Sequence, residues 1–205
     1  MNDADKKQLV QELLKETQLQ GYHAIFLEDI SKKLNSESNL GFKLSYRQTS
    51  LLLKLKNYYS EHEKQKRKDW AVSYQAKKKD FLVVAGYYSQ TGYYREPARR
   101  ALEDDTFVPT QRLYQNMVHN RYAEKVLREH YNTPKYKVGE LVYPVKSYRP
   151  CQKTWQGPFS RGGIVLKTDA APISSACKGA KKYLILPVGK AHALVLEERW
   201  LKRKK

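Results

Sequence analysis

Gly139-Glu-Leu-Val-Tyr-Pro-Val145, Trp155-Gln-Gly-Pro-Phe159, Gly163-Ile-Val-Leu166, Tyr183-Leu-Ile-Leu186 and Ala193-Leu-Val-Leu196 follow one another near the C-terminal end and decide the reading of this chain. Each is a short apolar or aromatic run punctuated by Gly, Pro or charged residues, the pattern of short strands joined by tight turns. With the closing Arg199-Trp-Leu-Lys-Arg203, these signals predict a small closed or nearly closed β-barrel over residues 135–205. The same segment holds sixteen Lys/Arg against four Asp/Glu, so +12 of the chain's net +18 is concentrated there. A small, strongly cationic β unit is most simply a surface for phosphates.

Working outward, the charge falls away toward the N-terminus. Residues 64–134 carry fourteen basic and eight acidic side chains, and residues 1–63 carry nine of each. The head is therefore composed to pack and the rest to meet a polyanion. No stretch approaches the roughly 18 apolar residues a membrane helix requires, which argues against a membrane partner. The opening Met-Asn-Asp-Ala-Asp lacks the pattern of a secretory signal. Cys151 and Cys177 cannot by themselves make a disulfide framework or a four-ligand zinc site, and read as reduced thiols in an intracellular protein.

Three amphipathic helices are predicted in the head. Leu9, Val10, Leu13 and Leu14 recur at helical spacing over about residues 6–19, with Gly21 as the stop. A second helix over 25–34 sets Ile30 and Leu34 on a stripe with Phe26 or Leu27. A third begins at Ser45, with Gln48 completing a capping box, and could extend through Glu63-Lys-Gln-Lys-Arg-Lys68. In the middle, Phe81-Leu-Val-Val-Ala85 fits a strand or a buried turn of helix. The imperfect repeat Gly86-Tyr-Tyr-Ser-Gln90 and Gly92-Tyr-Tyr-Arg-Glu96 is either a stacking platform or a packed loop. One further helix is expected over about 110–131, bracketed by Pro109 and Pro134. The expected architecture is α+β: a three-helix domain over 1–68, a basic Tyr-rich linker over 69–108, a connecting helix over 109–134 and the barrel over 135–205.

Two segments resemble known families. Glu28-Asp-Ile-Ser-Lys-Lys-Leu-Asn35, Gly41 and Tyr46-Arg-Gln-Thr-Ser-Leu-Leu-Leu-Lys-Leu-Lys-Asn-Tyr58 resemble the Myb/SANT-like family in its trihelix-type variants, although the usual tryptophan of its second helix is missing. That resemblance implies a third helix that enters a DNA groove, with Arg47, Lys54 and Lys56 as contacts. A head of zero net charge is equally suited to a protein partner. Tyr136-Lys-Val-Gly-Glu-Leu-Val-Tyr143, Lys153-Thr-Trp-Gln-Gly-Pro-Phe159 and Trp200-Leu-Lys202 resemble the SH3-like C-terminal barrel of LTR-retroelement and retroviral integrases. The helix ending in Ala123-Glu-Lys-Val-Leu-Arg-Glu-His-Tyr131 resembles the segment that leads into it. Neither the catalytic carboxylate triad nor the His-His-Cys-Cys zinc unit of those enzymes can be placed in this sequence.

Chemistry-bearing constellations are correspondingly sparse. The histidines at 23, 62, 119, 130 and 192 are dispersed, and Gly162-Gly163 precedes a strand rather than a helix, so it is a turn or bulge and not a phosphate loop. Glu103-Asp-Asp105 is read as a capping and dipole element. The stronger signal is basic residues interleaved with aromatics, since aromatics stack on unpaired bases while Lys and Arg neutralise phosphates. The nucleic-acid-binding set predicted for the barrel is Lys146, Arg149, Lys153, Trp155, Arg161, Lys167, Arg199, Lys202 and Arg203; Trp155 and Phe159 could instead fill its core. The expectation is a non-catalytic nucleic-acid-binding protein without cofactor or metal, DNA favoured and RNA possible, nuclear, and derived from or associated with a mobile element. Two alternatives share these features: a structural RNA-binding subunit of a mitochondrial or cytoplasmic ribonucleoprotein such as a mitochondrial ribosome, and a methyl-lysine chromatin reader built on barrel aromatics.

Overall fold

The computed structural model describes residues 3–16, 19, 21–36, 43–146, 159 and 161–204. Among them the protein is α+β, with seven helices followed by a five-stranded antiparallel sheet. The chain divides into two compact units, residues 1–72 and 73–205.

Unit 1 holds α1 (Asp3–Leu14), α2 (Gly21–Asn35), α3 (Tyr46–Tyr58) and the start of α4 (Glu61–Tyr88). The first three helices share one core of Leu9, Val10, Leu13, Leu27, Ile30, Leu34, Leu44, Leu52, Leu55 and Tyr59. Leu27, not Phe26, completes the buried stripe of α2. Gly21 opens α2 instead of stopping α1. The first helix ends five residues earlier than its expected Leu19, where Lys15 and Glu16 donate to the carbonyls of Glu12 and Leu13. These three-residue bonds close the last turn once the apolar stripe is exhausted. The capping box at α3 forms as expected: the Ser45 side chain accepts from the Gln48 N–H, and the Gln48 side chain from the Ser45 N–H. α3 does not run on into the charged segment. The Ser60 hydroxyl donates to the Asn57 carbonyl at 2.7 Å and accepts from the Glu63 N–H, so a new helix begins at Glu61.

Unit 2 takes the rest of α4, then α5 (Arg95–Glu103), α6 (Gln111–Val118) and α7 (Arg121–Tyr131). Phe81-Leu-Val-Val-Ala85 is helical and lies on the stripe Tyr74, Phe81, Val84, Ala85 and Tyr88 that α4 buries. The Phe81 ring stacks on Tyr114 of α6, with centroids 5.9 Å apart. The single helix expected over 110–131 is two. Thr110 caps α6, and Asn120 caps α7 by accepting from the Tyr122 and Ala123 N–H groups. A short amide side chain in mid-pattern competes with the helical bonds and restarts the helix in a new direction.

The sheet follows as β1 (Leu141–Pro144), β2 (Gly163–Lys167), β3 (Lys182–Pro187), β4 (Leu194–Glu197) and β5 (Leu201–Lys202), in the order β4-β3-β2-β1-β5. Consecutive β4 and β5 stand at opposite edges, joined by a 3-10 turn at Glu198–Trp200. In a flat sheet those edges would be about 19 Å apart. Four residue steps span at most about 14 Å, so the sheet curls. β1 serves both neighbours along its length: Leu141 and Val142 pair with β2, Tyr143 and Pro144 with β5. Alternation places Val142, Val165, Tyr183, Ile185, Leu194 and Leu201 inside, with Tyr136 and Phe159. Gly163 is obligatory here, because a Cβ would lie 2.7 Å from both the Ile185 side chain and the Leu186 carbonyl oxygen.

Sheet and helices of unit 2 are tied by the β2–β3 connection. Ile173 and Ala180 pack with Val126 of α7, and Pro172 lies where a side chain on Gly86 of α4 would begin. Lys181 is buried there at 3% exposure, its ammonium donating to Asp169 at 2.8 Å and to the His130 carbonyl at 2.9 Å. The buried Glu129 carboxylate accepts from the Gly179 N–H at 2.8 Å.

Candidate nucleic-acid interface

In unit 1 the core stripe of α3 fixes what the opposite face presents. With Leu52, Leu55 and Tyr59 buried, Arg47, Lys54 and Lys56 are exposed, and none makes an ion pair among the described residues. Tyr46 and Leu53 stand out beside them. α3 has no acidic residue; at 3.6 residues per turn Arg47 and Lys54 share one side of it, while Lys56 lies on the other flank of the buried stripe.

The predicted contact residues of the strand segment sort into three groups. Arg149, Lys153 and Trp155 lie outside the described residues. Lys146 and Arg161 are exposed at the two feet of the β1–β2 connection, at the same end of the sheet, because Val142 pairs with Gly163. Lys190, which the sequence reading passed over, joins them from the β3–β4 turn, since Val188 donates to the Gly162 carbonyl at that end. Lys202 is exposed on β5, and Lys167 is exposed at the opposite end of β2. The third group is already engaged. Arg199 pairs with Glu197 at 2.6 Å, donates to the Cys177 sulfur at 3.1 Å and covers the Trp200 ring. Arg203 pairs with Glu140, donates to the Lys135 carbonyl at 2.9 Å and lies over Tyr136. That guanidinium holds the Glu140 carboxyl below its ordinary range.

A second cationic feature has no counterpart in the predicted set. Lys125 and Arg128 on α7 and Lys178 from the β2–β3 connection surround a cavity of about 490 Å³ that also exposes Asn132 and Cys177. The signal was present as i, i+3 cations on α7, but the third comes from fifty residues away in the chain. Among the described residues, no cluster of three or more His, Cys, Asp or Glu is arranged to hold a metal ion. Glu103, Asp104 and Asp105 end α5 rather than precede a helix: Glu103 pairs with Arg99, and Asp104 accepts from the Thr106 N–H and hydroxyl. The Thr106 bonds hold the Asp104 carboxyl low.

The repeated tyrosines form neither a flat platform nor a simple packed loop. Tyr87 and Tyr88 on the last turn of α4, Tyr93 and Tyr94 after it, and Tyr122 on α7 line a cavity of about 490 Å³ together with Asn116 and Asn120. Tyr88 packs against Tyr87 with centroids 5.0 Å apart and edge-on to Tyr94 at 5.2 Å. Its hydroxyl is held by the Asn120 amide at 2.9 Å. Burial raises both the Tyr87 and Tyr88 phenols above their ordinary range. Tyr94 adopts φ 48° and ψ 22°, the left-handed region, without a side-chain cap bond in return. For a bulky residue that conformation costs about 1–2 kcal/mol, and such strain gathers at functional sites. Compared with known proteins, the chain matches no family model, no curated protein and no solved structure.

Proposed function

We propose that this chain is a non-catalytic nucleic-acid-binding protein, with DNA the favoured ligand. The observation that carries the reading is the state of its cations. Lys146, Arg161 and Lys190 gather at one end of the sheet, within the segment of net +12, and Lys178 of that segment joins Lys125 and Arg128 of α7 around one cavity, all exposed and without ion pairs among the described residues. Cations left unpaired by the protein are available for phosphates, and releasing the counterions condensed on a duplex drives attachment. The cationic helix α3 is the second contact, with Arg47 and Lys54 on one side of it, giving orientation on a groove or, failing that, a protein partner.

Both family resemblances support the reading. A curled five-stranded antiparallel sheet with a 3-10 turn before its last strand is compatible with an SH3-like barrel, and a capped third helix bearing Arg47, Lys54 and Lys56 is compatible with a Myb/SANT-like unit. A nuclear protein derived from or associated with a mobile element accounts for the two together. The exposed tyrosines favour one alternative, a structural subunit of a ribonucleoprotein, because folded RNA is rich in unstacked bases.

The test is a salt titration of duplex binding by the full chain. With about five phosphates neutralised, log K should fall against log salt with a slope of about −4 to −5. A flat response removes the electrostatic mechanism. Metal-dependent DNA cleavage lost on substitution of Glu103, Asp104 or Asp105 would overturn the non-enzyme reading.

A further inference from the structure

The tyrosine cavity of unit 2 is not explained by phosphate neutralisation. Five aromatic rings face one space, and two of them, Tyr93 and Tyr122, remain 79% and 52% exposed at its rim. Exposed rings around a concave space are surface left for a ligand, and about 490 Å³ falls within the roughly 300–1,000 Å³ typical of small-ligand sites.

Three features narrow the class of that ligand. The walls are ring faces and edges, which suit a flat π system better than an aliphatic chain. The Asn116 side chain is exposed on the lining and offers both an amide donor and a carbonyl acceptor, the pair that reads the edge of a heterocycle. No carboxylate lines the cavity, while Arg95 directly follows Tyr94, and Arg121 lies over the Tyr122 ring with its guanidinium carbon 5.6 Å from the centroid. Both arginines are exposed and without ion pairs among the described residues. A guanidinium on the Tyr122 ring, with a second cation one residue from Tyr94, repels a methylated ammonium and attracts a phosphate.

We propose that this cavity binds a single unpaired nucleobase carried on a phosphodiester strand. The base sits among Tyr87, Tyr88, Tyr93, Tyr94 and Tyr122, and Arg95 and Arg121 neutralise the flanking phosphates. The proposal rests on the nucleic-acid reading above and adds to it a preference for strands with an extruded or unpaired base. The left-handed Tyr94 has a place in this account, since its backbone turns the ring against Tyr88 and keeps the cavity open instead of letting the loop collapse.

The experiment compares the full chain with a Tyr93→Ala/Tyr122→Ala variant. Both side chains are exposed, so the fold is not at risk. The probes are a DNA duplex with a single bulged 2-aminopurine, the same duplex without the bulge, and 2-aminopurine riboside monophosphate. The bulged duplex should bind about tenfold tighter than the paired one, with quenching of the bulged base, a preference of the size one stacked base supplies. The variant should lose the preference and the quenching while its affinity for the paired duplex stays within about twofold. Equal affinity for the two duplexes, or a preference that survives in the variant, overturns the proposal. If the chain binds neither duplex, the wider reading fails, and the monophosphate decides the cavity by itself. Quenching lost in the variant upholds a nucleobase site. No quenching, or binding of a trimethyl-lysine peptide in its place, sinks it.

Discussion

The two units differ in what holds them together. Nine of the ten residues in the core of unit 1 are aliphatic, and Tyr59 is the exception. Unit 2 buries Tyr74, Tyr88, Tyr114, Tyr136 and Tyr183. An aliphatic core is specified by shape and periodicity alone. A buried tyrosine adds a hydroxyl that costs stability unless it finds a partner, and Tyr136 and Tyr183 find theirs within the sheet segment. The Tyr136 hydroxyl donates to the Leu201 carbonyl at 2.6 Å, tying the start of the sheet segment to its last strand. Tyr183 donates to Glu198 at 2.7 Å and accepts from the Tyr136 N–H. The same arithmetic separates their cations. Unit 1 carries thirteen Lys/Arg against ten Asp/Glu and exposes Arg47, Lys54 and Lys56 on one helix, whereas unit 2 places its exposed cations on α7 and at the turns of the sheet.

The hardest test of that contrast is core truncation. Phe81→Ala in unit 2 should cost about 3–5 kcal/mol and Leu52→Ala in unit 1 about 2–5 kcal/mol, read by denaturant unfolding. Comparable losses mean that both are ordinary close-packed cores, and the contrast then lies in the hydroxyls alone.

Removing hydroxyls isolates that difference. Tyr183→Phe takes one of two donors from the Glu198 carboxylate, which keeps the Lys135 N–H, and leaves the Tyr136 N–H without its acceptor, for a cost of about 1–3 kcal/mol. In unit 1, Tyr59→Phe loses the part-buried 2.8 Å contact to His23 and should cost about 0.5–1.5 kcal/mol. If Tyr59→Phe proves the more damaging, the distinction between the cores is wrong.

Charge removal compares the two cationic surfaces. Replacing Lys146, Arg161 and Lys190 by Ala should flatten the salt slope of duplex binding by about 2.7, at roughly 0.9 per lost phosphate contact. Replacing Arg47 and Lys54 should flatten it by at most about 1.8 on the same basis and alter sequence preference. An unchanged slope and preference in the second case assigns α3 to a protein partner.

The smallest effect is a pH response confined to unit 2. Burial pushes the His130 imidazole below its ordinary value and the nearby Lys181 lowers it further, with Lys79 acting in the same sense and Asp169 and Asp80 opposing. A histidine kept neutral in the fold binds its proton more readily when unfolded, so stability declines as pH falls through the unfolded value near 6.5. The melting temperature should drop between about pH 7.5 and pH 5.5, and His130→Gln should shrink that drop. A rise on acidification would contradict the assignment.

What the sequence determined by itself was what local rules can write. The Ser45–Gln48 box, the stripe Leu27, Ile30 and Leu34, and the alternation in β2 and β3 were legible because capping and the periods of 3.6 and 2 act within a few residues. Element ends were less so. Asn120 and Ser60 broke helices that the apolar pattern continued through, because one side-chain bond to the backbone outweighs a weak periodic signal. The fate of Phe81-Leu-Val-Val-Ala85 was open for the same reason: a short apolar run fits strand or helix until its neighbours are known. Only the tertiary structure decided which cations are spent and which are available. Glu140 lies sixty-three residues from Arg203, and no pattern in the chain announces that pair. The tyrosine cavity was likewise beyond reach. Its walls come from α4, the loop after it, α6 and α7, and they meet because Phe81 and Tyr114 pack the helices on one core while Asn120 turns the last of them toward Tyr88.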